Sequence, residues 1–297
     1  MRKVTVAASQ MACSKEIDIN IRTAERLVRS AHAQGAQIIL VQELFAGPYF
    51  CIDQHPAHFA LAESADDNRL ITHFVQLARE LEVVLPISFF EKAHNAFFNS
   101  LVVIDADGSI LGKYRKSHIP NGPAYQEKQF FSPGDTGFKV WETRYARIGV
   151  GICWDQWFPE AARCMALQGA ELLFYPSAIG SEPAFPEINS QPHWTRTQQG
   201  HAAANLTPVI TSNRIGTETS EHIDGLEMTF YGSCFIADHT GELVQQANRT
   251  DECVIVHTFD LDHIAQERSA WGLFRDRRPD LYGAIASFDG SAGTRHQ

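Results

Sequence analysis

The chain has 297 residues, 44% of them hydrophobic and 20% charged, a balance that suits a folded protein with a sizeable core. Its formal charge of −10 argues against nucleic acid or an anionic membrane surface as partner and mildly favours a cationic ligand. No run of about 18 apolar residues is present, so no membrane-spanning helix is expected.

In chain order, the start places Arg2 and Lys3 before an apolar run and superficially mimics a leader peptide. That run is short and broken by Thr5, Ser9 and Gln10, so residues 4–8 are predicted to be a first strand. Residues 20–34 are predicted to be a helix closed by Gly35, and residues 36–42 a buried strand that ends on the carboxylate of Glu43. A stripe of Leu70, Ile71, Phe74, Leu77, Ala78 and Leu81 makes residues 68–81 an amphipathic helix, its apolar face core by default. Residues 83–90, 98–105 and 109–114 have strand character, the last two forming a hairpin about Asp107-Gly108.

The theme then repeats. Residues 147–153 are predicted as strand, 159–168 as helix, 172–175 as strand, 193–205 as helix and 208–213 as strand. Residues 233–238 and 242–245 form a hairpin around Thr240-Gly241, and 254–260 closes the sheet. Two similar halves suggest an α/β architecture of two sheets packed face to face with helices outside. No linker rich in Gly, Pro or Ser divides the chain, so residues 1–286 are expected to be one domain. The polar, glycine-containing residues 287–297 are expected to be a disordered tail.

The run Val150-Gly151-Ile152-Cys153-Trp154-Asp155 is the most informative stretch. A β-branched strand ends at Cys153, just ahead of a helix that opens on Pro159. Ligand crevices of open α/β sheets lie at such carboxyl ends, so Cys153 is a candidate nucleophile. A cysteine that merely packs would read the same from this segment alone, because reactivity needs access and a tuned pKa. The six cysteines are dispersed without a C-x-x-C pair, which fits neither a zinc site nor a disulfide framework and points to a reducing cytoplasm. None of the thirteen histidines falls in a ligand motif such as H-E-x-x-H, so neither metal nor other cofactor is expected.

Two further stretches change the weight on Cys153. One is Gln42-Glu43 at its strand end, and the other is Tyr114-Arg115-Lys116-Ser117-His118, which leads into a loop closed by Pro120. With the cysteine run these resemble the nitrilase, or carbon–nitrogen hydrolase, superfamily, whose catalytic set is Glu, Lys and Cys in that order. The resemblance extends from Val4 to about Tyr282. It includes Glu127-Lys128-Gln129-Phe130-Phe131-Ser132-Pro133-Gly134, Asn213-Arg214-Ile215-Gly216, Tyr231-Gly232-Ser233 and Arg277-Arg278-Pro279-Asp280-Leu281-Tyr282. It implies a four-layer αββα sandwich and a cysteine-dependent hydrolase. Glu43 would be the general base, Lys116 the oxyanion stabiliser, Cys153 the nucleophile, and Glu127 a second glutamate orienting Lys116 or the substrate.

The residues after the nucleophile bear on the substrate. Family members that act on N-carbamoyl amino acids carry arginines there to hold a carboxylate, whereas this chain offers Asp155, Gln156 and Trp157, with no arginine before Arg163. Trp154, Trp157 and Asp155 would suit a cation, although both tryptophans could simply pack and Asp155 could cap the helix. The run from Cys153 to Arg163 and the run Phe174-Tyr175-Pro176-Ser177-Ala178-Ile179-Gly180 are similar to those of family members that hydrolyse N-carbamoylputrescine. That similarity implies release of putrescine, carbon dioxide and ammonia in polyamine synthesis. Glu187 and Trp194, in and after the loop 181–193, are candidates for the substrate pocket, Glu187 for a distal ammonium. An amidase or nitrilase for another small substrate, or a catalytically silent oligomeric binding module, are the competing readings. The family resemblance also implies a homodimer or higher homo-oligomer, to which residues 277–282 could contribute.

Overall fold

The computed structural model describes residues 1–291, so the last part of the expected tail, residues 292–297, lies outside the described residues. The strands are β1 (Lys3–Met11), β2 (Ile38–Leu40), β3 (Leu85–Ala93), β4 (Ala96–Ile104), β5 (Ile110–Arg115), β6 (Val140–Glu142) and β7 (Arg147–Val150). They continue as β8 (Leu172–Pro176), β9 (Val209–Arg214), β10 (Thr217–Thr219), β11 (Glu227–Thr229), β12 (Phe235–Ala237), β13 (Leu243–Gln246) and β14 (Cys253–Asp260). The helices are α1 (Ile17–Ala33), α2 (Arg69–Leu81), α3 (Pro159–Leu167), α4 (Gln191–Asn205) and α5 (Leu261–Trp271).

Alternation along each strand builds the layers, because successive side chains point to opposite faces. In β1, Val4, Val6 and Ala8 enter the central core while Ala7 and Met11 face outward. Ile38 and Leu40 of β2, and Leu101 and Val103 of β4, also turn inward. Their neighbours Ile39, Val102 and Ile104 turn out toward α1 and α2. The second half mirrors this arrangement. Leu172, Phe174, Ile210 and Ile236 enter the same central core, whereas Leu173, Tyr175, Val209 and Phe235 pack beneath residues of α3 and α4. The result is the expected order of helix, sheet, sheet and helix.

One half of the sandwich runs β14-β1-β2, and two backbone hydrogen bonds, from Ile39 N–H to the Val84 carbonyl and from Val84 N–H to the Gln37 carbonyl, attach the β3-β4-β5 meander to it. The other half runs β6-β7-β8-β9-β12-β13. The halves join where Gln10 and Met11 of β1 pair in parallel with Asn213 and Arg214 of β9. Antiparallel and parallel pairs are mixed, and the parallel stretch β7-β8-β9 is buried on both faces.

Local signals set most boundaries. Asn68 caps α2 by accepting the Ile71 N–H at 3.0 Å. Gly108 sits at φ +82° in the predicted β4–β5 turn, a backbone region glycine enters without steric cost. Two features differ from the sequence reading. Helix α5 follows the closing strand where none was expected; it buries only Leu261 and Ile264, so it has little apolar periodicity. The strand before Cys153 ends at Val150, and Cys153 opens a one-turn 3₁₀ helix, Cys153–Trp157.

Phe74 is fully buried under the first sheet, edge-on to Phe45 at 5.4 Å between ring centroids. Phe74→Ala should therefore cost about 3–5 kcal/mol of stability, read by urea denaturation. A loss below about 1 kcal/mol would mean that this layer is not close-packed.

Candidate active site

Glu43 lies just past β2, in a turn where Leu44 takes φ +50°. A buried arginine holds that turn. Arg214, from the end of β9, donates to the carbonyls of Leu44 at 2.6 Å and Glu43 at 3.2 Å, and pairs with Glu218 at 2.9 Å. The Leu44 N–H donates to Ser88 Oγ at 3.1 Å. The glutamate is thus presented by a fixed backbone. On the side chain, Asn99 Nδ2 donates to Oε1 at 2.6 Å, while the buried Oε2 has no partner.

Lys116 immediately follows β5, and its backbone N–H still bonds the Asn99 carbonyl of β4 at 2.8 Å. Its ammonium is wholly buried between two carboxylates, Glu43 Oε1 at 2.9 Å and Glu127 Oε2 at 2.6 Å. Glu127 lies on a short 3₁₀ turn, and its other oxygen accepts the Tyr49 hydroxyl at 2.7 Å. Tyr49 and Asn99 drew no attention in the sequence. Only proximity in the fold reveals that they orient these carboxylates.

Cys153 adopts φ +40°, a left-handed conformation that costs a non-glycine residue about 1–3 kcal/mol and is found most often at functional sites. Gly151, two residues before, cannot carry a side chain without pushing back the ring of Tyr175, which lies 2.9 Å from the place a Cβ would take. Cys153 is 5% exposed as a residue and lines a cavity of about 440 Å³. Glu127, Tyr125, Trp154, Trp157, Glu182, Phe185 and His193 are among the lining residues, and among the described residues no lysine or arginine is. The structure therefore brings Glu43, Lys116, Glu127 and Cys153 into one buried cluster beside a pocket of ligand size.

The electrostatics of the cluster follow from its composition. Burial would lower the Lys116 ammonium, but Glu127 and then Glu43 overcome it and hold the lysine protonated well above its usual pKa. Burial raises Glu127 to about 7, against the pull of Lys116 and with a push from Glu43. The Cys153 thiol is raised well above its ordinary value, first by burial and then by Glu43, with Lys116 opposing. Two carboxylates around one ammonium already leave a surplus negative charge, so a resting thiolate would add a second in a dry site. The thiol is held neutral, and an acceptor must take its proton when it reacts.

A buried Glu–Lys–Cys cluster at strand ends of an αββα sandwich agrees with the comparison by sequence, in which the carbon–nitrogen hydrolase family model matches residues 5–269. The chain belongs to the carbon–nitrogen hydrolase family. It is 59% identical to an N-carbamoylputrescine amidase of Solanum lycopersicum, over 98% of this chain and 97% of that protein. It is 51% identical to a citrullinase of Francisella tularensis, over 96% of this chain and 99% of that one. The crystal structure of a carbon–nitrogen hydrolase from Helicobacter pylori superposes with a TM-score of 0.90 at 37% identity, covering 97% of this chain and 99% of the other.

Three residues expected in the pocket lie elsewhere. Asp155 is fully buried and turned away from the cavity. It accepts the Tyr114 hydroxyl at 2.7 Å and the N–H groups of Ile152 and His118 at 2.9 and 3.0 Å, so it ties the turn at Cys153 to the loop after Lys116. Trp194 is buried on the inner face of α4, 5.3 Å edge-on from Phe235. Glu187 is exposed on the loop. A turn closed by the Phe185 N–H on the Glu182 carbonyl at 2.8 Å instead directs Glu182 and Phe185 to the cavity. Trp154 and Trp157 do line it, their rings 6.1 Å apart.

Glu127→Gln removes a negative charge that disfavours the thiolate, so alkylation of Cys153 by iodoacetamide should move to lower pH in this variant than in the wild type. Rate–pH profiles with peptide mapping read the shift, and an unmoved or raised midpoint contradicts the charge argument.

Proposed function

We propose that this carbon–nitrogen hydrolase converts N-carbamoylputrescine to putrescine, carbon dioxide and ammonia through a covalent intermediate on Cys153. The observation that carries the choice is the charge of the cavity wall beyond the nucleophile. Glu182 is half-buried there, raised by burial, and shares the cavity with the rings of Trp154, Trp157 and Phe185 and, among the described residues, with no lysine or arginine. A substrate with a ureido head and an ammonium tail supplies the missing positive charge, and the rings favour it further. The near full-length relatives named N-carbamoylputrescine amidase support the same substrate.

In this reading the Cys153 sulfur attacks the ureido carbon while its proton passes to the unpaired Oε2 of Glu43. Negative charge develops on the carbonyl oxygen, and Lys116 stabilises it from its fixed place between Glu43 and Glu127. Glu43 returns the proton to the departing nitrogen, and ammonia leaves an alkylcarbamoyl thioester. Water then gives a proton to Glu43 and attacks the same carbon. The carbon–sulfur bond breaks, the thiol recovers its proton, and the released carbamate decomposes to carbon dioxide and putrescine. Glu127 and Tyr49 keep the lysine aimed throughout.

Citrulline is a second reading, favoured by the 51% identical citrullinase. It bears the same ureido head but adds a carboxylate beside the terminal ammonium. A carboxylate there would face Glu182 in a lining without lysine or arginine, which favours the plain diamine derivative. Assembly into a homo-oligomer belongs to the proposal too. Trp271, Leu281, Tyr282 and Ile285 expose large apolar side chains near a groove that contains Arg163 and Arg277. With all six cysteines unpaired, a reducing cytoplasm is the proposed compartment.

Steady-state kinetics should give the highest kcat/KM for N-carbamoylputrescine, well above citrulline and N-carbamoyl-β-alanine. Glu182→Gln should raise KM for the diamine derivative by about tenfold or more with kcat little changed, as expected for loss of one charge-assisted hydrogen bond. Preference for a carboxylate substrate, or indifference to the Glu182 change, overturns the assignment. Cys153→Ala should lower kcat by roughly 10⁴ or more while the melting temperature stays within a few degrees. An equal collapse of stability would make the cysteine structural.

A further inference from the structure

Away from the catalytic cluster, the loop around residues 53–58 and the β10–β11 hairpin bring three histidines to one aspartate. Asp53 is only 2% exposed. Its Oδ1 accepts the backbone N–H of His55 at 2.9 Å and meets His58 Nε2 at 2.8 Å, while Oδ2 accepts the Ser220 hydroxyl from the hairpin. Among the described residues, no lysine or arginine lies within ion-pair distance of this buried carboxylate, its histidine partner being His58, and Lys15 pairs with Glu221 instead. Three hydrogen bonds hold this carboxylate in place, two of its partners lying on the 53–58 loop and one on the hairpin.

The hairpin supplies the third group. His222 stacks flat on His55, centroids 3.5 Å apart and 19° from parallel, with its ring centre 5.4 Å from that of His58. One ligand atom each from Asp53, His58 and His222 lie within 4.8 Å of one another. His55 is the support for this trio and not a fourth member. Its ring runs nearly parallel to that of His222, so their lone pairs do not converge, and its Nδ1 accepts the Ala57 N–H at 3.3 Å.

We propose that Asp53, His58 and His222 form a binding site for a divalent, imidazole-seeking cation of the Zn²⁺ or Ni²⁺ type, pinning the hairpin to the loop. Two imidazoles and one carboxylate are a donor set that such ions take, leaving a further position for water. Ligand atoms about 2.1 Å from a tetrahedral ion stand about 3.4 Å apart, so Asp53 and His58, now 2.8 Å apart, would part slightly while His222 adjusts to complete the set. His222 is exposed and free to do so. The cation would take the place of the His58–Asp53 hydrogen bond, with the His58 Nε2 lone pair turned to the ion. The same hairpin carries Glu218, which holds Arg214 and, through its other oxygen, the Tyr49 N–H at 2.5 Å; metal at its tip would stiffen a support of the catalytic turn.

Titration calorimetry and thermal melts of the full chain with ZnCl₂ and NiCl₂ test the site. The expected result is saturable binding of one ion per chain and a melting temperature raised by about 3 °C or more at a hundredfold excess over Kd. His222→Ala and His222→Gln, changes at an exposed side chain, should each weaken binding at least tenfold and abolish the shift. His58→Ala should do likewise, and Cys164→Ser, which removes the exposed thiol, should change neither. Binding of equal strength in the histidine variants, binding lost with Cys164, or no saturation below about 1 mM would overturn the proposal.

Discussion

The rest of the structure is arranged around one buried contact: the Lys116 ammonium, stripped of water, between the carboxylates of Glu43 and Glu127. Burying a charge is costly unless partners replace its hydration, and breaking such a pair leaves an uncompensated ion at a cost of about 3–5 kcal/mol. The two glutamates more than compensate the lysine, and burial, with Glu43 adding to it, keeps the neighbouring thiol neutral. The proposed mechanism builds on this: a neutral thiol whose proton the unpaired carboxylate oxygen of Glu43 can take.

That cluster draws on widely separated strands. Glu43 follows β2 and Cys153 follows β7, at opposite sides of the nine-stranded sheet, and Lys116 follows β5 of the three-stranded one, so no single sheet holds the set alone. The short parallel join between β1 and β9 ties the halves together, and Arg214 at its edge reaches across to the carbonyls beside Glu43. Left-handed turns at Leu44 and Cys153 aim the two side chains, and the surrounding packing sustains the strain. Asp155 joins the loop after Lys116 to the turn of the nucleophile, so the sheets are linked through the active site as well as through the core.

Much of this was legible in the sequence because strand alternation and helical stripes are strong signals here. The strand ends at Glu43, Lys116 and Cys153 could be located, and their order along the chain carried the family resemblance. What stayed hidden depends on irregular backbone or on partners far apart in the chain. Glu187 and Glu182 share a loop without periodicity, and the turn at Glu182–Phe185 decides which of them faces the cavity. Trp194 belongs to an α4 face that buries Gln198, His201 and Asn205 along with apolar residues, so its stripe does not look like core. Asp155 read as a cap or a cation site because the Tyr114 hydroxyl and the His118 N–H that satisfy it lie about forty positions earlier. Helix α5 had one usable sign, Asp260, which caps it by accepting the His263 N–H.

A crystal structure of Cys153→Ser soaked with N-carbamoylputrescine examines the central contact directly. The account predicts the ureido oxygen within about 3 Å of Lys116 Nζ, the ureido carbon about 3.5 Å or less from the serine oxygen, and the tail ammonium at Glu182. A ureido group seated away from the buried lysine, with its oxygen facing solvent or a different donor, would contradict it.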